Sequence, residues 1–133
     1  MLFIDFLNDG APECPMLRIY GTDVVALSSL HQHFEALGNG TRSRVEVHEL
    51  DRISCQVGLH LCCMASDANS GVVKAGSTLH FTLSLGRPEW TAVCELIHPL
   101  IKVGGQGGFQ WVVAPGARGS IAVLLSATEG GEW

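Results

Sequence analysis

Two stretches of this chain, 66 residues apart, show the same order of strand and helix patterns. Alternating apolar residues at 17–20 and at 79–85 each precede an apolar stripe with helical spacing. The stripes consist of Val24, Leu27, Leu30, Phe34 and Leu37 in the first stretch, and of Trp90, Val93, Ile97, Leu100 and Ile101 in the second. Strands with period-two alternation follow each helix. The pattern predicts two β-α-β-β units, residues 16–65 and 82–126, that bury their apolar faces against each other.

Packed side by side, these units predict an α+β fold. The expected architecture is a two-layer sandwich, with a largely antiparallel sheet of about six strands and two helices on one face. Residues 1–15 contain a turn cluster and are expected to form an N-terminal arm, which leaves 16–133 as a single domain. The shift of 66 needs no gap and aligns Val57 with Val123 and Leu59 with Leu125. Common descent of the two units stays open, since few residues are identical.

The composition excludes several classes of protein. Of the 133 residues, 47% are hydrophobic and 16% are charged, and the formal net charge is −5. A disordered chain has lower hydrophobicity and more charge. A general nucleic-acid binder needs a basic surface to neutralise phosphates. No apolar run approaches the roughly 20 residues that span a bilayer. We therefore expect neither a nucleic acid nor a membrane as the partner.

The cysteines indicate a reducing compartment. There are five, an odd number, at irregular spacings. A small secreted scaffold normally has an even set that forms disulfides. The first residues include Asp5 and lack the basic start of a secretory signal. These observations predict free thiols and a cytoplasmic protein.

Polar side chains alternate with the apolar residues of three predicted strands. Because neighbouring residues of a strand point to opposite faces, the polar set shares the sheet face opposite the helices. We interpret this face as a binding surface. Its candidate residues are Arg44, Glu46, His48, His60, Cys62, His80 and Thr82.

Some of these residues are also ligands that zinc accepts. His60, Cys62 and His80 are the candidates, but no fixed ligand spacing accompanies them, so the sequence predicts no metal and no cofactor. An antiparallel pairing would bring Cys62 close to His80 and His60 close to Glu46. An activated thiol would also require a depressed pKa, for which the sequence offers no clear source.

A glycine tract at 104–108 resembles a phosphate-binding loop only in composition. Such loops follow a strand and open a helix, whereas this tract follows a helix and opens a strand. It is interpreted as a flexible connection between a helix and the strand that follows. No other catalytic motif occurs, so no catalytic residue is predicted.

The last quarter of the chain carries a resemblance to known proteins. The segments 107–112 (GGFQWV), 121–126 (IAVLLS) and 131–133 (GEW) resemble small uncharacterised bacterial proteins, including immunity proteins of polymorphic toxin systems. The resemblance contains no catalytic motif and transfers no residue role. It implies a small cytoplasmic protein that binds another protein.

Three functions remain as hypotheses. The first is a non-enzymatic protein-binding module, such as an immunity or regulatory protein, whose acidic balance and tail (Glu129, Glu132) suit a toxin with a basic active site. The second is a small metal- or thiol-dependent enzyme that uses the histidines and cysteine of the sheet face. The third is a homodimer in which a second copy covers that face.

Overall fold

The computed structural model describes residues 1–102, 108–116 and 120–133. The glycine tract at 104–107 and the connection at 117–119 lie outside these residues. The helices and strands are, in chain order, β1 (Leu2–Leu7), β2 (Met16–Tyr20), α1 (Val24–Asn39), β3 (Arg44–Glu46), a 3₁₀ turn (Val47–Glu49), β4 (Ile53–Cys55), β5 (His60–Ala65), β6 (Gly71–Lys74), β7 (His80–Leu85), α2 (Arg87–Lys102), β8 (Phe109–Val113) and β9 (Ala122–Ser126).

The strands form two mixed sheets, and the fold is α+β as predicted. One sheet has five strands in the order β4-β1-β2-β9-β8, and the other has four in the order β3-β5-β7-β6. The expectation of a single sheet of about six strands is therefore wrong. Among the described strands, four of the seven pairs are antiparallel, whereas β1 runs parallel to β4, β2 to β9 and β5 to β7. Strand partners are distant in the chain, so local periodicity could not identify them.

The five-stranded sheet joins β2 of the first predicted unit to β9 and β8 of the second, and the four-stranded sheet joins β7 of the second unit to β5 and β3 of the first. Leu17 pairs with Val123 in the five-stranded sheet, and Leu83 pairs with Cys63 in the four-stranded sheet. Because Leu17 and Leu83 are 66 residues apart, Val123 corresponds to Cys63 rather than to Val57. The gapless alignment therefore fails beyond β3, where the first unit contains the 3₁₀ turn and β4.

One apolar core lies between the two sheets and the two helices. It contains inward residues of both sheets, among them Ile19 and Leu61, and the buried stripes of α1 and α2. Phe34 of α1 and Trp90 of α2 meet in this core with ring centroids 4.8 Å apart. The apolar stripes of both helices are buried in this one cluster. The two predicted units therefore exclude water from their apolar faces together, and neither could do so alone.

Residues 1–15 are not an attached arm. β1 lies between β4 and β2, and its Leu2 and Ile4 are 1% exposed. The strand was missed because Asp5 interrupts its apolar residues. Asp5 points to the opposite face of the sheet, where it pairs with Arg18.

The helix ends follow from local chemistry. The Asp23 carboxylate caps α1 by accepting from the Ala26 backbone N–H at 3.0 Å. Gly40 ends the helix with a φ of 87°, a conformation that glycine adopts without strain. α2 continues through Pro99 to Lys102. Among the described helices, none has the length and apolar character needed to span a membrane.

Candidate functional site: the outer face of the four-stranded sheet

The strand register brings the predicted surface residues together. Glu46, Cys62, Thr82 and Val73 form one row across all four strands. We use the name outer face for the surface formed by Arg44, Glu46, His48, His60, Cys62, Met64, Val73, His80, Thr82 and Ser84. These side chains lie opposite the core because their strand neighbours, such as Leu61, point inward and are buried.

The parallel pairing of β5 and β7 changes which residues are neighbours. His60 lies opposite His80, and Cys62 lies opposite Thr82 and Glu46. The expected approaches of Cys62 to His80 and of His60 to Glu46 depended on an antiparallel register and are wrong. Strand direction was not contained in the alternation, which fixes only the face on which a side chain lies.

Three histidines are stacked face to face at one end of the outer face. The ring centroids of His48 and His60 are 4.3 Å apart, and the planes differ by 3°. His60 and His80 are also 4.3 Å apart, with planes 5° apart. The parallel register explains the second pair, since directly opposite residues of neighbouring strands place their side chains within contact. We call His48, His60 and His80 the histidine stack.

His48 reaches the stack because β3 ends early. The strand stops at Glu46, and the 3₁₀ turn places the His48 ring beside Leu61 of β5. The Leu61 backbone N–H donates to His48 Nδ1 at 3.1 Å, and the Leu61 carbonyl oxygen lies 3.2 Å from the same nitrogen. The His48 imidazole thus contacts the Leu61 backbone N–H and C=O groups, which the next residue of a longer β3 would have paired with. His48 is largely buried, whereas His60 and His80 are exposed.

Few charges surround the stack. Arg44 forms an ion pair with Glu46, and this hydrogen bond raises the pKa of the Arg44 guanidinium. His48 Nε2 lies 3.8 Å from a Glu46 oxygen and 3.9 Å from a Glu49 oxygen. The stack is therefore surrounded by one basic and two acidic side chains, those of Arg44, Glu46 and Glu49.

Cys62 lies at the centre of the outer face but is poorly suited to nucleophilic chemistry. The residue is 8% exposed. Burial raises the pKa of its thiol, and the nearby Glu46 carboxylate raises it further. Cys63 points into the core, and burial raises the pKa of that thiol strongly. Both thiols are thus protonated at neutral pH, whereas a catalytic thiol needs a lowered pKa.

Among the described residues, no group of three or more His, Cys, Asp or Glu side chains is arranged to hold a metal ion. His60, Cys62 and His80 were the sequence candidates. His60 and His80 are stacked with nearly parallel rings, so their nitrogen lone pairs do not converge on one point.

The corresponding face of the five-stranded sheet is partly covered by the chain itself. Met16 and Leu124 are 0% exposed there and pack against Cys14 of the segment before β2. Arg18 on the same face donates to the carbonyl oxygens of Gly130 and Gly131 at 3.1 and 3.2 Å. The segments before β2 and after β9 therefore cover part of this face, while its residues Phe3 and Phe109 remain 42% and 40% exposed.

The outer face of the four-stranded sheet keeps several of its side chains accessible. Val73 is 58% exposed and the Arg44 side chain 59% exposed. Sequence reasoning missed Val73, because it identified no strand at Gly71–Lys74, where β6 lies. It also missed Met64, which lies two residues after Cys62 on the same face because β5 continues to Ala65.

A second concave region lies between the two helices. It has a volume of about 700 Å³ and is lined by His31, Glu35, Cys94, Glu95 and His98, among others. The His31 and His98 rings are 5.9 Å apart. Burial raises the pKa of the Cys94 thiol to about 11. Nearby on α1, His33 Nδ1 lies 3.1 Å from Arg42 Nη1.

Comparison with protein-family models, with curated proteins and with solved structures found no match for this chain. The resemblance of its last quarter to immunity proteins therefore has no further support from known proteins. The functional argument depends on the geometry of the outer face.

Alkylation tests whether Cys62 is a nucleophile. In the native protein at pH 7.5, iodoacetamide should modify Cys62 at least about tenfold more slowly than in urea, because the native thiol is shielded and protonated. Cys63 should react only after unfolding. The measurement is mass spectrometry of peptides over time. Native modification of Cys62 faster than in urea would show an activated thiol and support the enzyme hypothesis.

Proposed function

We propose that this chain is a non-enzymatic protein-binding module, an immunity or regulatory protein that occludes a toxin or enzyme with its outer face. The observation that carries the proposal is the difference between the two sheets. The chain covers the middle of one outward sheet face with its own segments, whereas His60, Val73 and His80 of the other face are exposed. An accessible face with exposed apolar and neutral polar groups suits contact with another protein.

The composition of the outer face supports contact rather than solvation alone. Outward strand positions that commonly hold Lys or Glu hold His60, His80, Thr82 and Ser84. Val73 adds an exposed aliphatic group next to Thr82. Desolvating neutral groups of this kind costs less than desolvating charges, so such a surface is readily buried by a partner.

The size of the face limits how a partner can bind. Four strands span roughly 15 Å between the axes of the outer strands, and six residues extend about 20 Å. The area of a rectangle with these sides is smaller than the roughly 800 Å² that each partner contributes to a standard interface. The partner is therefore expected also to contact the turns at 56–59 and 75–79, which flank His60 and His80.

The charge of the chain selects the kind of partner. A net charge of −5 steers the protein toward a basic surface, such as the active site of a nuclease toxin. The cysteines are free in the structure, which agrees with the proposal that the protein works in the reducing cytoplasm. A metal- or thiol-dependent reaction is less well supported, since the raised pKa of Cys62 opposes thiolate formation.

Co-purification with matched variants tests the proposal. Val73 on the outer face is 58% exposed, and Val25 at the start of α1 is 59% exposed. Tagged wild-type protein and Val25→Arg should capture the same stoichiometric partner from the native host. Val73→Arg should retain at least about tenfold less, because an arginine there repels a basic partner and fills the contact surface.

Two results would contradict the proposal. Equal retention by Val73→Arg and Val25→Arg would place the interface elsewhere. A wild-type dimer without another protein, converted to a monomer by Val73→Arg, would show that a second copy covers the outer face. Native mass measurement of each purified sample separates these outcomes.

A further inference from the structure

The groove between the two helices is a concave site that is separate from the outer face. α1 and α2 run antiparallel along it, since Gly38 lies against Thr91 at one end and His31 lies against His98 at the other. A Cβ added to Gly38 would come within 2.7 Å of Thr91 Oγ1, so the lack of a side chain at residue 38 permits this close approach. The helices leave a groove of about 700 Å³, which lies in the size range of small-molecule sites.

The groove has an apolar floor and a carboxylate from each helix. Cys94 forms part of the floor, where it is 7% exposed and its Sγ lies 3.8 Å from the His31 carbonyl oxygen. Glu35 of α1 and Glu95 of α2 also line the groove. Burial raises the pKa of the Cys94 thiol to about 11, and the nearby Glu35 and Glu95 carboxylates contribute to that rise. Two negative charges thus lie beside a buried and uncharged thiol.

No basic side chain of the described residues pairs with these two carboxylates. The ion pairs within the described part of the chain involve neither Glu35 nor Glu95, and none of the described lining residues is Lys or Arg. Arg87, at the start of α2, donates to the Leu37 carbonyl oxygen at 2.9 Å, and Lys102 in the last turn lies outside the lining. A positively charged occupant therefore supplies the charge that the groove lacks.

The other lining residues favour an organic cation over a bare metal ion. A metal ion requires several ligands around one point, and the described His, Cys, Asp and Glu side chains provide no group of three or more that could hold one. The His31 and His98 rings, with centroids 5.9 Å apart and planes inclined by 50°, offer flat surfaces to the body of a ligand. Pro99 adds an aliphatic ring to the lining. Apolar sites with a few charged groups bind small molecules in a defined orientation.

We propose that the groove between α1 and α2 is a binding site for a small organic cation, a primary amine that carries an apolar body. The ammonium group pairs with the carboxylates of Glu35 and Glu95. The apolar body packs on Cys94, Pro99 and the two imidazole rings and displaces water from the floor of the groove. The groove shares none of its described lining residues with the outer face, so this proposal does not depend on the proposed function.

Amide chemical-shift titration by NMR tests the site with a matched pair of probes. Phenethylamine carries an ammonium group on a phenyl body, and phenethyl alcohol has nearly the same shape without the charge. The amine should shift the amides of residues 31–39 and 91–99 with a Kd of about 1 mM or lower. The alcohol should bind at least about tenfold more weakly, because it cannot form a charge-assisted hydrogen bond with either carboxylate.

A pair of double variants tests the two carboxylates. Glu35→Gln/Glu95→Gln keeps the shape of both side chains and should weaken phenethylamine binding at least about tenfold. Asp51→Asn/Glu129→Gln removes the same number of charges outside the groove and should leave the Kd unchanged within about twofold, because solvent and salt screen distant charges. All four positions are exposed, so the fold is retained in both variants.

Four results would overturn the proposal. The first is the absence of shifts in the groove at ten times the expected Kd of phenethylamine. The second is equal affinity for phenethyl alcohol, which would show an apolar groove without recognition of charge. The third is an equal loss of affinity in both double variants, which would show a general effect of net charge. The fourth is binding of Zn²⁺ alone, with shifts at His31 and His98 and none caused by the amine, which would identify a metal site instead.

Discussion

Replacing Trp90 with alanine is expected to lower the free energy of unfolding by about 3–5 kcal/mol. The side chain is 0% exposed and contacts Phe34 across the interface between the helices. Its indole N–H also donates to the carbonyl oxygen of Met64 in β5 at 2.8 Å. The substitution therefore leaves a cavity between α1, α2 and the four-stranded sheet and removes the donor to Met64. Urea unfolding followed by circular dichroism measures the loss.

Trp90→Phe separates the two contributions. Phenylalanine fills most of the volume but cannot donate to Met64, so a loss of about 1–3 kcal/mol is expected. A domain of this size has a free energy of unfolding of about 5–15 kcal/mol in total, so the alanine variant is expected to lose a large fraction of its stability. A loss below about 1 kcal/mol for Trp90→Ala would show that the two helices and this sheet do not share a core.

Arg18→Met is expected to lower the free energy of unfolding by about 2 kcal/mol or more. Arg18 Nε and Nη2 donate to the two oxygens of Asp5 at 2.9 and 2.6 Å. Its Nη1 donates to the carbonyl oxygens of Gly130 and Gly131. Methionine keeps the aliphatic stem but leaves the Asp5 carboxylate without its partner and releases the segment after β9.

Arg18→Lys is the matched control for charge. Lysine keeps the positive charge but cannot form the two parallel hydrogen bonds, so an intermediate loss is expected. The double variant with Asp5→Asn completes a thermodynamic cycle with an expected coupling of about 1 kcal/mol or more. Carboxypeptidase should digest residues 128–133 faster in Arg18→Met than in wild type. A coupling near zero with unchanged digestion would show that Arg18 does not hold the segment after β9.

Arg18 matters for the proposed function because it anchors the segment after β9 on the outward face of the five-stranded sheet. The two sheets have related topologies, since β2 joins β9 and β8 in one sheet and β7 joins β5 and β3 in the other. Among the described residues, the segments before β2 and after β9 cover part of the outward face of the five-stranded sheet. The exposure of Val73 and His60 is therefore a local difference between two similar sheets. Loss of the Arg18 anchor should expose more of the outward face of the five-stranded sheet, which would then resemble the outer face.

Alternation predicted the site residues better than it predicted their neighbours. His80 and Thr82 alternate with the buried Phe81 and Leu83, so their common face followed from the period of two alone. The pairing of His60 with His80 depends on the parallel direction of β5 and β7, which is set by long-range contacts. Local sequence does not contain that information, so the histidine stack could not be predicted.

Other features were hidden by single residues. Asp5 concealed β1 because a charged residue at an outward position breaks the apolar run without breaking the strand. Gly71 begins β6 directly after the mostly polar run at 66–70, so this strand was not distinguished from a loop. His48 reaches Leu61 only because β3 ends at Glu46, a result of the turn that follows. In each case the tertiary partner determines the structure.

Site-specific photo-crosslinking in the native host tests most directly whether the outer face is the binding surface. A photoreactive amino acid is placed at Val73 in one protein and at Val25 in another, two positions of nearly equal exposure, 58% and 59%. The account predicts one dominant crosslinked protein from position 73 and little or none from position 25. Equal crosslinking at both positions, or crosslinking from position 25 alone, would contradict it.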